Sequence, residues 1–127
     1  MQPQQLFEYA VIRIVPRVER EEFMNVGVIL YCAKAKFLQA MFELDHERLK
    51  IFCANTDIPE VKENLCAIER ICKGEASAGP IGKLDMASRF RWLTATRSTV
   101  VQTSRVHPGF CTDPAETLQK LYEQLVL

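Results

Sequence analysis

Residues 6–33, LFEYAVIRIVPRVEREEFMNVGVILYCA, decide how this chain folds. The opening ten, LFEYAVIRIV, are rich in β-branched and aromatic types and read as a strand. Side chains alternate along a strand, so Ala10, Ile12 and Ile14 share one face, and Tyr9, Val11 and Arg13 the other. Pro16 stops the run, because it has no N–H to give to a ladder. A charged turn follows with Arg17, Glu19, Arg20, Glu21 and Glu22, and it ends on Asn25 and Gly27. Residues 26–33, VGVILYCA, are nearly all apolar and read as a central strand buried on both faces.

After Lys34-Ala35 comes a third run, Lys36 to Leu44, in which Leu38, Ala40, Phe42 and Leu44 alternate with Phe37, Gln39, Met41 and Glu43. Short connections favour antiparallel neighbours, so the three runs form a meander. The second half is helical. Asp45 caps a short helix reaching about Cys53. Asp57, Pro59 and Glu60 open a longer one, along which Ile58, Val61, Leu65, Ile68 and Cys72 recur at helical spacing up to Lys73-Gly74. Residues 75–82, EASAGPIG, read as a loop, 86–93 as a short helix and 98–104, STVVQTS, as a late edge strand. Asp113-Pro114-Ala115-Glu116 repeats the cap, proline and glutamate logic for a last helix lined by Leu118, Leu121, Tyr122 and Leu125. The reading is therefore one α+β domain over residues 1–127. It has an antiparallel sheet of about four strands (a β-β-β meander plus the late edge strand), with helices packed on the face of Ala10, Ile12 and Ile14.

Composition narrows the function. Lys plus Arg equals Asp plus Glu at 16 each, so no overall field favours nucleic acid or an acidic membrane, and self-association meets little charge repulsion. The N-terminus has no signal-peptide pattern and no apolar run approaches the length of a membrane span. Five cysteines without a CxxC spacing suit a reducing cytoplasm, and the two histidines have no metal-ligand spacing. Cytoplasmic location, no membrane, no metal and no cofactor are the expectations. Phosphate-loop, HExxH and G-x-S-x-G motifs are absent, so the sequence leans away from an enzyme.

The candidate site is a set of cations. An arginine in mid-strand asks for solvent, a carboxylate or a ligand. Arg13 is therefore either an anion site beside Tyr9 and Gln39, or an ion pair with Glu43 or a turn glutamate. Asn25 and Gly27, at the turn-to-strand junction, suggest a backbone bond and a bulge or close approach. Residues 83–105 are locally basic. Arg89, Arg91 and Arg97 are interleaved with Phe90 and Trp92, with Ser98 among the hydroxyls that follow, and such groups suit phosphate or carboxylate recognition. The anion- or partner-binding set is thus Arg13, Arg89, Arg91, Arg97, Ser98, Tyr9 and Asn25, with Cys111 near Pro108-Gly109 as the candidate exposed thiol.

The string YAVIRIVPRVEREEFMNVGVILY resembles the opening of a bacterial domain-of-unknown-function family, number 3037. The likeness continues in FRWLTATRSTVVQTS and in DPAETLQKLYEQLV. The resemblance implies a small intracellular bacterial protein. Family members are often encoded beside HipA-like kinases, which implies an accessory or partner role. The expected function is a non-enzymatic protein-interaction module with an arginine-rich anion-binding face. Its partner is a HipA-like kinase by family context, or a second copy in a homo-oligomer. Nucleic-acid binding and an enzyme acting on a small anionic substrate are the competing readings.

Overall fold

The computed structural model describes residues 3–16, 22–52, 57–95 and 99–127. Strands β1 (Gln5–Ile14), β2 (Met24–Cys32) and β3 (Phe37–Phe42) form the expected antiparallel meander. Two short strands, β4 (Val101–Thr103) and β5 (His107–Cys111), both pair antiparallel with the other edge of β1. The sheet order is therefore β3-β2-β1, with β4 and β5 end to end as a broken edge. The break at residues 104–106 is bridged by Ser104: its N–H donates to the Val11 carbonyl at 2.8 Å, and the Val11 N–H donates to its Oγ at 2.9 Å. The charged turn expected at residues 17–21 lies outside the described residues.

Helices α1 (His46–Phe52), α2 (Ile58–Lys73) and α3 (Met86–Leu93) are arranged on the face that carries Ile12, Ile14 and Ile29. Their caps follow from sequence. Asp45 accepts the Glu47 and Arg48 N–H groups, Asp57 that of Glu60, and Asp85 that of Ser88. Gly74 closes α2 in the left-handed region, at φ 69. Residues 75–82 are not wholly irregular: Ala76–Lys83 forms a 3₁₀ stretch interrupted at Gly79. The α+β class and the helices on the Ala10–Ile12–Ile14 side hold. Helix α4 (Pro114–Leu125) is an addition on the opposite face, where Leu118, Tyr122 and the following Val126 cover Val28, Leu30 and Cys32 of β2. Burial of β2 on both sides requires cover on both sides, and α4 supplies the second.

Where β1 and β2 meet the bulge, Val26 is an extra residue between the Ile12–Gly27 and Arg13–Asn25 pairs. Gly27 also permits the close approach that its sequence position suggested. A Cβ there would lie 2.6 Å from the Met41 carbonyl oxygen and 2.7 Å from the Phe42 Cβ. Among the described residues no helix is long and apolar enough to cross a membrane.

Candidate functional site

The bulge brings two expected site residues together. Arg13 and Asn25 are cross-strand partners on the α4 face. The Asn25 amide donates to the Leu125 carbonyl at 3.1 Å, which ties the sheet to the end of α4. The guanidinium of Arg13 lies over the Phe23 ring, 4.0 Å from its centroid, a cation–π contact. Of the ion pairs expected for Arg13, the one with Glu43 does not form, and Glu19 and Glu21 of the turn lie outside the described residues. Glu43 instead accepts the Tyr122 hydroxyl at 3.2 Å, and Gln39 is exposed on β3, two strands away from Arg13. Burial, and secondarily the Glu43 charge, raise the Tyr122 pKa. Tyr9 lies four residues back on the Arg13 face and packs against His107, ring centroids 5.2 Å apart.

The other arginines stand elsewhere. Arg89 is buried beneath α3 on the opposite side of the sheet, and its donors are turned inward. One terminal N–H group serves the Ile71 and Cys72 carbonyls at 2.8 Å each, and Nε serves Leu84 at 3.1 Å. It therefore caps the last turn of α2, where carbonyls lack helical partners and a cation is favoured. Burial pushes the neighbouring Cys72 thiol up to about 12, with the Arg89 charge opposing. Arg91 is exposed on α3. Below it, the Asp85 carboxyl is held down by its bond from Ser88 and, more weakly, by Arg91 and Arg89. Arg97 and Ser98 lie outside the described residues. The expected gathering of arginines on one face does not occur among those described: Arg13 and Arg89 are on opposite faces. Cys111 is likewise not an exposed loop thiol. It is a buried residue of β5, and burial raises its pKa.

What the sequence left unmarked is a groove of about 470 Å³ beside Asn25. Met24 and Asn25 border it, with Phe23, Arg48, Ile51 and Phe52 along it and the end of α4 at its far side. Ile51 is 87% exposed and Phe23 46%. The signal was present. On α1 the buried residue is Leu49, so Ile51 falls off the packing stripe and has no core to enter. Arg48 makes no ion pair with a described residue. The groove joins apolar surface to a solvated guanidinium. That chemistry suits holding a carboxylate-bearing, partly apolar group, and the described lining residues include no nucleophile or general base. Among the described residues no group of three or more His, Cys, Asp or Glu side chains is placed to hold a metal ion.

Comparison with curated proteins and with solved structures finds no match for this chain. The family described as "Protein of unknown function (DUF3037)" matches residues 9–126, which include β1 from Tyr9 onward, the bulge and all of α4. The chain belongs to the DUF3037 family.

Proposed function

We propose that this domain is a non-enzymatic protein-interaction module that receives a partner segment in the groove between α1 and the end of α4. One observation carries the reading: Phe23 and Ile51 are exposed at a concave surface that also presents Arg48. Aromatic and arginine anchors around an apolar centre are the features that concentrate binding energy at protein interfaces. The segment that fits has an apolar side chain for Phe23, Ile51 and Phe52, followed by a carboxylate for Arg48. Arg13, stacked behind Phe23, holds that ring in place rather than meeting the partner. The family context makes a HipA-like kinase the first partner to try.

The test is calorimetric titration of the purified domain with a co-encoded HipA-like kinase. The variants are Arg48→Glu and Ile51→Asp, both at exposed positions and both checked for folding by circular dichroism. Each is expected to weaken binding about tenfold or more, the scale of a lost interface anchor. Equal affinity for wild type and both variants would remove the groove as the binding surface.

A further inference from the structure

The two edges of the sheet are built differently. The β4/β5 edge is short, broken at residues 104–106 and carries Pro108, all devices that discourage another strand from adding. The β3 edge has none of them. Its residues 37–42, FLQAMF, hold no proline, no charge and no bulge, and pair only with β2 among the described residues. The Glu43 N–H bonds to the Val26 carbonyl at 3.0 Å. In an antiparallel ladder this fixes the alternation: odd-numbered residues of β3 turn their amides to β2, and Leu38, Ala40 and Phe42 turn theirs outward. Helices α2 and α4 contact β3 from the two faces, and a groove of about 330 Å³ runs by Ala40, Phe42 and Glu43, between Glu69 and Tyr122.

We propose that this edge is a self-association surface, on which β3 of a second copy adds antiparallel about a two-fold axis midway between the two Ala40 residues. The ends of the strand select that partner. Lys34 and Lys36 precede β3 and Glu43 follows it, so the charges of the strand are opposite at its two ends. Antiparallel pairing of two such strands brings the Lys34–Lys36 end of each beside the Glu43 end of the other, whereas parallel pairing would bring like charges together. The register that places Ala40 opposite itself also places Leu38 opposite Phe42, so all three outward-facing residues find ladder partners. The interface is self-complementary, as a two-fold contact must be. A formal net charge of zero leaves little long-range repulsion to oppose it. This surface is separate from the α1–α4 groove and does not depend on it.

Sedimentation equilibrium of the full chain tests the proposal. The wild type is expected to show a concentration-dependent dimer. Ala40→Pro removes an N–H that the chain itself does not use, so the protein should stay folded and become monomeric. The Lys34→Glu/Lys36→Glu variant, changed only at exposed positions, is expected to dimerise about tenfold more weakly, and adding Glu43→Lys should restore association. A wild type that remains a 14.6 kDa monomer at near-millimolar concentration overturns the proposal, including the case in which the edge takes a foreign strand instead. A dimer that survives Ala40→Pro overturns the edge as its site. A charge-reversed chain that associates like wild type overturns the antiparallel register, and this arm stands even if Ala40→Pro does not fold.

Discussion

Asn25 and Leu125 are separated by 100 positions in sequence, and the amide of the first donates to the carbonyl of the second at 3.1 Å. The bond joins the bulged start of β2 to the last turn of α4, whose final carbonyls have no helical donor. Asn25→Ala is expected to cost about 1 kcal/mol, the net worth of one hydrogen bond. The local signature is faster amide exchange at the end of α4, including Val126, with the first turn unchanged. Unaltered exchange there would mean that α4 is held by its apolar contacts alone.

Arg89 is a structural cation. Replacing it with Met keeps much of the stem but removes the side-chain donor from the carbonyls of Ile71, Cys72 and Leu84, of which Ile71 keeps the Gly74 N–H at 3.1 Å. An expected loss of about 1–3 kcal/mol follows from removing three charge-assisted hydrogen bonds and leaving the Cys72 carbonyl without its side-chain donor. Chemical denaturation measures it, and Arg89→Lys should recover only part because one ammonium does not reproduce the planar fork. A Met variant as stable as wild type would return Arg89 to the list of candidate ligand contacts.

Ser104 supplies the rung missing from the broken edge. Ser104→Ala leaves the Val11 N–H without a partner in a buried setting, at an expected cost of about 1–3 kcal/mol. Ser104→Thr keeps the hydroxyl and should lie closer to wild type. The comparison is made on denaturation midpoints at constant slope.

Alkaline conditions should expose the burial of Cys72. The unfolded chain releases this proton around 9.0, whereas the folded protein retains it up to about 12. Stability is therefore full below pH 9 and falls as pH rises through that window, by up to about 1.4 kcal/mol per pH unit for one group. Cys111 and Tyr122, also raised by burial, add to the decline. Cys72→Ala should give a shallower slope of stability against pH, whatever its effect at neutral pH. Parallel slopes for variant and wild type would contradict the assigned shift.

Two glycines separate crowding from backbone conformation. Gly27→Ala forces a methyl against the Met41 backbone and the Phe42 Cβ, neither of which moves cheaply, so a loss of about 1–3 kcal/mol or more is expected. Gly79→Ala meets open space but sits at φ 73, ψ −155, a region essentially confined to glycine, so a purely conformational penalty of about 1–3 kcal/mol should appear. Thermal denaturation measures both, and a Gly27→Ala variant as stable as wild type would contradict the close approach at Met41 and Phe42.

Much of the architecture was legible because local chemistry and tertiary fold agree. The alternation of Ala10, Ile12 and Ile14, the apolar run 26–33, and the aspartate caps at 57 and 113 each point to the element that forms. Strand β5 was hidden by Pro108-Gly109, which reads as a turn but is tolerated on an edge. There Pro108 pairs with Glu8, and the Phe7 ring lies over Gly109. The site was less legible. A guanidinium looks the same in sequence whether it meets a ligand, as a cluster of arginines suggests, or turns inward to helix carbonyls, as Arg89 does. Phe23, Ile51 and Arg48 come from separate segments, and only the fold makes them neighbours.

Because α4, alone among the described helices, shields Val28, Leu30 and Cys32, the order of the elements along the chain matters. Every strand precedes α4 in the chain, so the whole sheet is specified before its cover. During that interval the nascent sheet has one dry side and one bare apolar side, a surface that holding chaperones and neighbouring nascent chains recognise. Docking of α4 is thus the step that closes this apolar side.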